Sequence, residues 1–571
     1  MKKMILRGTR GIVLWLSLLF FLFLTAVSLV STAYFNQSDF YGERPRYRAD
    51  FVLFHLLFIF LILAVLAFLN RRKILERIPV RALAAGAVIF VIAASILWVR
   101  VSHTYPEADQ KAVSWVAYLL TQNNFLFFEP EKYMQIYPNQ LGLMAILEVL
   151  YRLTGGENWD AFRYLTALAN GAVVYLLYKI TNRQFHSRKA DCLVLIGSAC
   201  CVQIIFYTTF LYGIMLGLAF ALGAFYALLI FLEKERIGSA VLSGILIGIS
   251  ILVKNNYSIF LTAMVILLLW KALEQKSWRF LIGILILLLA SAGLSRGLTA
   301  FYEQRSGMEI GSGMPKTLWI AMGMQEGERA EGWYNEFNYN TFLETGCDAA
   351  ESDAIARASI ADSLERFKND PVYALDFYYK KTVSQWNEPT CEALWVNQFH
   401  SGEFSRIVQS IYDGKLYTVL EEYMNLFQSL VYAAVLYALW RCRKDWTMEQ
   451  LFLPLVILGG FSFHTLWEAK SQYIFPYFVC LLPWAAAGPW RAGEDLLNLA
   501  AGRGVRTGDS QGLPREHEAQ LHPGGRRAGR EDCLGLDIAS SDHNQEMEGG
   551  EDPSRAFFGH LPGRPPVQIR R

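Results

Sequence analysis

Long apolar runs alternate with short polar stretches along most of the chain, and their length sets the first expectation. About 17 to 25 mainly apolar residues cross a bilayer as helix. Runs of roughly that size fall at 11–35, 51–69, 82–101, 162–180, 192–211, 213–232, 238–253, 257–271, 280–302, 417–440, 451–467 and 472–488, which predicts twelve spans. The first follows Lys2, Lys3, Arg7 and Arg10. It is too long and too uniformly apolar for a cleaved signal, and reads as an uncleaved anchor. The shorter apolar stretch 141–153 carries Glu148 and Arg152 and fits a helix lying in the membrane interface.

Composition agrees with the pattern. Hydrophobic residues make up 53% of the 571 residues and the mean hydropathy is +0.25, more than a soluble domain carries. A formal charge of +2 makes no case for a nucleic-acid partner. The basic residues instead cluster between spans, at Arg71, Arg72, Lys73, Arg77 and Arg81, at Arg183, Arg188 and Lys189, at Lys234 and Arg236, and at Arg441, Arg443 and Lys444. The positive-inside rule makes those loops cytoplasmic. Both termini are then cytoplasmic, and the segments after Val101 and after Tyr302 face outward.

The expected organisation is a transmembrane module over 1–302 with a functional outer loop at 102–161, an extracytoplasmic cap over 303–416, C-terminal spans over 417–490, and a tail over 491–571. In the cap, Ile355, Ile360, Leu364 and Phe367 recur at near-helical spacing, and Pro371 is placed to open a second helix reaching Trp386. The tail turns to Gly, Arg, Pro, His and acidic residues and holds no lysine, a composition expected to stay disordered and suggestive of an altered reading frame. Cys347 and Cys391 share the cap, and the sequence leaves open whether they are bonded. Cys192, Cys200, Cys201 and Cys480 fall in spans, Cys442 in a cytoplasmic loop and Cys533 in the tail. No His/Cys pattern has metal-ligand spacing.

Candidate chemistry gathers at span ends. Asp109, in Pro106-Glu107-Ala108-Asp109-Gln110, follows the third run and precedes an apolar stripe of helical period, Ala112, Val113, Val116, Leu119 and Leu120. It reads either as the cap of an interfacial helix or as a functional carboxylate. Trp467, Glu468, Lys470 and Tyr473 form a tight hairpin between the last two runs, read either as an interface belt or as a charged pair beside a headgroup. Lys254, beside Asn255 and Asn256, has the same two readings. Transporters usually hold substrate near the midplane, whereas these groups lie at the ends. A lipid or polysaccharide transporter or flippase is therefore the second reading, behind a surface reaction.

These residues resemble the GT-C glycosyltransferases, particularly the bacterial protein-mannosyltransferase-like and aminoarabinose-transferase-like branch. Asp109 matches the first acid of that family's outer-loop pair, Tyr137-Pro138-Asn139-Gln140 its turn into a second interfacial helix, and Lys254 its lysine after a Gly-rich span. Gln110 stands where the family has a second acid, with Glu107 in a position to compensate, and Tyr137 stands where a basic residue is common. The resemblance implies an all-α polytopic bundle of about 12 transmembrane helices, with interfacial helices in the first large outer loop and a small α-rich cap. It further implies inverting transfer of a sugar from a polyprenyl-phosphate donor to a hydroxyl of a protein, cell-envelope glycan or lipid, on the outer face of a bacterial plasma membrane. Asp109 is then the general base with Glu107 beside it. Lys470, Lys254 and Arg163 bind the donor phosphate, and Gln110, Tyr137, Asn139, Gln140, Trp467 and Glu468 line the donor and acceptor site. No residue is assigned to a metal; a divalent cation is the alternative to a lysine at the leaving phosphate.

Overall fold

Hydropathy and burial together explain the helical bundle that the computed structural model gives for residues 2–36, 43–441, 443 and 446–488. The tail 491–571, Cys442, Lys444 and Cys533 lie outside the described residues. In chain order the main helices are α1 Lys2–Val30, α2 Val52–Arg71, α3 Val80–Ser102, α4 Asp109–Thr121, α5 Leu141–Thr154, α6 Trp159–Phe185, α7 Arg188–Cys200, α8 Ile214–Lys234, α9 Ile237–Val253, α10 Ser258–Gln275, α11 Arg279–Ser306, α12 Lys316–Gly323, α13 Phe337–Glu344, α14 Ala349–Asn369, α15 Pro371–Trp386, α16 Arg406–Asp413, α17 Lys415–Arg441, α18 Phe452–Leu466 and α19 Phe475–Ala487.

This is a multi-pass, all-α membrane protein. Six of the described stretches are long and apolar enough to cross a membrane: Gly8–Val30, Val52–Arg71, Val80–Ser102, Ile214–Lys234, Asn255–Gln275 and Arg279–Ser306. Three shorter apolar helices, Ile237–Val253, Phe452–Leu466 and Phe475–Ala487, lie within the bundle. Lipid-facing side chains stay apolar for want of water, and α2 and α11 accordingly expose rows such as Leu53, Phe54, Leu57, Phe60 and Leu61, and Leu281, Leu285 and Leu289. Helix α8 is buried on most sides, packing against α6 and α9, while α9 packs in turn on α11.

Length and hydropathy among the described residues thus give six spans, or seven with one bent pair, and leave the expected twelve unestablished; two of the expected stretches also change course. The first ends at Val30, because Ser31–Phe35 leave the helix as strand β1 and pair antiparallel with β2, Pro45–Ala49. Thr32, Tyr34 and Phe35 suit an extended chain, and β1 docks on the cap, with Ala33 N–H donating to Asn387 O at 3.2 Å. The stretch expected at 192–211 is broken. It comprises α7, Arg188–Cys200, and a second piece over Gln203–Thr209 inclined to it by 49°. The polar Gln203 is satisfied at that break by the Pro389 carbonyl, 3.0 Å away.

One end of the bundle carries all the longer connections. Helices α4 and α5 pack on each other there, and α5 is short, as its charged residues foretell. Glu148 ties it to α11 through Arg305 (3.0 and 3.1 Å) and Tyr302 (2.5 Å). Helices α12 to α15 form a cap at this end. Asp370 caps α15 by accepting from Tyr373 N–H at 2.9 Å, with Pro371 in the first turn. Ile136, beside the Tyr137-Pro138 turn, packs into an apolar cluster with Met314, Leu318, Ala321, Phe342 and Ala356 of the cap. Cys347 and Cys391 are both free thiols, Cys391 fully buried and Cys347 partly exposed.

Candidate active site

The chain leaves α3 through His103 and Thr104, whose strand-like bridge to His400 fixes the exit. It enters α4 through Ala108, at φ 50° and ψ −130°. A non-glycine residue rarely adopts that conformation, and such strain gathers at functional sites. Ala108 occupies the N-cap position and no side chain caps the helix. The cap reading of Asp109 is therefore replaced: it is the first helical residue, exposed, and its Oδ2 accepts the Tyr212 hydroxyl at 3.0 Å.

Tyr212 is the hub around Asp109. Gln140 Nε2 donates to its hydroxyl at 2.6 Å. The Lys254 Nζ lies 3.6 Å from its ring centroid and 5.6 Å from that of Tyr473, so the ammonium rests among aromatic faces. Gln110 is buried, and its Oε1 accepts Leu211 N–H at 2.8 Å.

The hairpin after α18 supplies the opposite side. Glu468 accepts the Tyr473 hydroxyl at 3.2 Å. Lys470 is ion-paired with the buried Glu43, which also receives Arg329. Ser471 Oγ lies 2.9 Å from Glu388 Oε2 and 3.0 Å from Glu392 Oε1, and both carboxyls are wholly buried. Ala469 N–H donates to Gly332 O at 2.7 Å. Lys381 donates to the carbonyls of Gly323 and Trp467, the latter at 2.8 Å, which binds the hairpin to the cap.

Burial dominates the titration here, because removing a group from water disfavours its charged form. It pushes Lys254 down to about 7, opposed by Asp109 and Glu468 and aided by Lys470. It pushes Glu468 up to about 7 against the pull of Lys470. Burial likewise pushes Lys381 down to about 7 and Glu392 up to about 8, the latter against Lys470 and with Glu43 and Glu388 adding to the rise. Lys470 is the exception: burial opposes its charge, yet Glu43 and Glu392 outweigh it and hold its pKa above the usual lysine value. The Asp109 charge also reaches Tyr133, Tyr137, Tyr212, Tyr334 and Tyr473, whose hydroxyls are all raised, with burial the larger cause. Asp109, Glu468 and Lys470 thus all act on Lys254, and Glu468 and Lys470 act on each other.

Other expected site residues stand apart or serve as walls. Glu107, just before α4, lies 4.0 Å from Lys111 in the first turn of that helix. Asn139 is exposed. Tyr137 packs on Tyr133 at 5.0 Å, and Trp467 stacks on Trp319 at 5.5 Å. Arg163 is paired with Asp160 at 3.1 Å, a turn away on α6, rather than brought to Lys470. Glu43, Arg329, Tyr212 and Glu392 escaped the sequence reading; the one available signal was the clustering of acids in Asn387-Glu388-Pro389-Thr390-Cys391-Glu392. The donor set does not suit a divalent cation, which needs several free oxygens. Gln110 rather than a second acid follows Asp109, Glu107 faces Lys111, and Glu43 already holds two cations.

Residues 141–295, from α5 through most of α11, match the family model of dolichyl-phosphate-mannose-protein mannosyltransferase. The chain is thus similar to the GT-C membrane glycosyltransferases, as its motifs had indicated. Among solved structures it is similar to the oligosaccharyltransferase AglB from Archaeoglobus fulgidus in complex with an inhibitory peptide and a dolichol-phosphate, at TM-score 0.40 and 13% identity over 75% of this chain and 52% of that one. The apo form of the Archaeoglobus fulgidus enzyme gives 0.40 and 12%, over 76% and 53%. ArnT from Cupriavidus metallidurans bound to undecaprenyl phosphate gives 0.32 and 14%, over 73% and 80%. The chain therefore spans about half the length of the archaeal enzymes. No curated protein matches it.

Proposed function

We propose that this protein transfers a sugar from a polyprenyl-phosphate-linked donor to an acceptor hydroxyl, with inversion, at the end of the bundle that bears the cap. In this reading that end faces outward from a bacterial plasma membrane and both termini are cytoplasmic, which is the orientation the basic loops favour. Residues 1–302 and 417–490 supply the membrane module and 303–416 its cap. The observation that carries the proposal is the exposed Asp109 carboxylate held by Tyr212, whose ring bears the Lys254 ammonium, with Lys470 acting on Lys254 from the hairpin.

The acceptor hydroxyl attacks the anomeric carbon as the bond from that carbon to the phosphate oxygen breaks. Asp109 takes the hydroxyl proton, and the bonding pair leaves with the phosphate. A free carboxylate is a weak base, so proton removal comes late, once the oxocarbenium-like centre has acidified the hydroxyl. The phosphate gathers charge as it leaves, and a fixed cation in a partly dry site stabilises that state more than the ground state. Lys470 serves there together with Arg329, both already gathered on an anion, the Glu43 carboxylate. Lys254, on which Asp109 acts, moderates the charge between base and phosphate. Protein, glycan and lipid hydroxyls all remain candidate acceptors.

The test is turnover of a polyprenyl-phosphate sugar by the purified full chain in nanodiscs. Asp109→Asn keeps the size and the Tyr212 contact and is expected to lower turnover by about 10²-fold or more, with donor binding intact. Wild-type turnover in that variant overturns the assignment.

A further inference from the structure

We propose that Tyr212, latched in place by Gln110, is the positioning residue that orients Asp109, so that the departure from the family's acidic pair is a working part of this site. The inference rests on Asp109 being the base.

The direction of each hydrogen bond is forced by its atoms. An amide nitrogen only donates and an ionised carboxylate only accepts. The Tyr212 hydroxyl therefore receives from Gln140 Nε2 at 2.6 Å and gives its single hydrogen to Asp109 Oδ2 at 3.0 Å. That contact engages one carboxylate oxygen of an exposed residue and leaves the other as the one that would take the acceptor proton. The same ring carries the Lys254 ammonium on its face at 3.6 Å. One side chain thus sets both the rotation of the carboxylate and the place of the nearest cation.

Tyr212 itself lies in a tight turn between the broken second piece of the α7 span and α8. Its N–H closes on Phe210 O at 2.9 Å, and Gly213 follows at φ 74°. A Cβ on Gly213 would stand 2.7 Å from Val253 Cγ1, so the turn is fitted against the end of α9, one residue before Lys254. Gln110 Oε1 takes the Leu211 N–H at 2.8 Å and pins this turn to the first residues of α4. A neutral amide does this beside Asp109 without the like-charge repulsion that a second carboxylate would bring.

The experiment compares Tyr212→Phe, Gln110→Leu, their double variant and Asp109→Asn in the purified full chain, reading kcat and donor KM separately. Tyr212→Phe keeps the ring and its cation contact and removes only the hydroxyl. The expected result is a fall in kcat of about tenfold or more with donor KM within about twofold. Gln110→Leu is expected to give a similar fall, and the double variant to be no slower than the slower single one, since both act through one contact. Wild-type kcat in Tyr212→Phe beside an inactive Asp109→Asn overturns this inference and leaves the base assignment standing. Multiplying losses in the double variant overturn the latch. An active Asp109→Asn overturns the inference and the proposed function together. Should Gln110→Leu fail to fold, Tyr212→Phe alone decides.

Discussion

A Cβ built on Gly142 would stand 2.2 Å from the Leu252 carbonyl oxygen, well inside van der Waals contact. The interfacial helix α5 thus meets α9 backbone to backbone at this point. Gln140, immediately before α5, is the residue that reaches Tyr212, so the close approach also positions the partner of Asp109.

Gly142→Ala is accordingly expected to push α5 away from α9, at a cost of about 1–3 kcal/mol, and to slow turnover as Gln140 withdraws. Thermal unfolding in detergent together with kcat checks this. An unchanged melting temperature and rate would mean that the helices part freely there.

Lys470→Ala is expected to lower kcat/KM for the donor by about 10²-fold, and Arg329→Ala to act in the same direction more weakly. Acceptor KM should hardly change, because both side chains gather on Glu43 rather than at Asp109. Steady-state kinetics with donor and acceptor varied in turn separates the two; a loss confined to acceptor KM would remove the pair from the phosphate.

Lys254 gives a prediction in pH. Burial lowers its pKa in the folded protein from 10.5 to about 7, so between those values the unfolded chain binds the proton more tightly and stability rises with pH. Below pH 7 the lysine is charged in both states and the burial penalty is full. Lys254→Met is therefore expected to stabilise the protein most at and below pH 7, with the gain shrinking toward pH 10. Melting curves across that range measure it, and a pH-independent difference would count against a buried charge.

Cys347 and Cys391 are free, and only Cys347 has exposed surface. A thiol reagent should label Cys347 in the folded protein and Cys391 only after denaturation. Peptide mapping without reductant reads this directly; a Cys347–Cys391 cross-linked peptide would contradict the structure.

Most helices were legible because membrane burial writes itself as length and hydropathy, and Glu148 with Arg152 marked α5 as interfacial. Asp109 stood out for the same reason, as an ionisable group at a span mouth. What stayed hidden depends on distant partners. Nothing near Glu43 or Arg329 in the sequence announces that they meet Lys470, because the contact is made by folding β2 and the cap around the hairpin. Nothing in the sequence around Tyr212 announces that its hydroxyl lies between Asp109 and Gln140. The early end of α1 was masked by Ala33, Tyr34 and Phe35, apolar enough to extend a helix pattern yet drawn into a strand by pairing with Tyr47 and its neighbours.

Ser471 has one hydroxyl hydrogen and two carboxyl neighbours, Glu388 and Glu392. For both contacts to be hydrogen bonds, one of those acids must keep a hydrogen of its own. Both carboxyls accept backbone N–H groups, and burial pushes both up, Glu392 to about 8, so the pair holds a hydrogen near neutral pH. While that hydrogen stays, Lys470 retains its attraction for an arriving anion. Once it is lost in more alkaline solution, a second negative charge settles beneath the lysine. With Lys470 at the donor phosphate, as proposed, the alkaline edge of donor recognition is set by a pair of buried side chains.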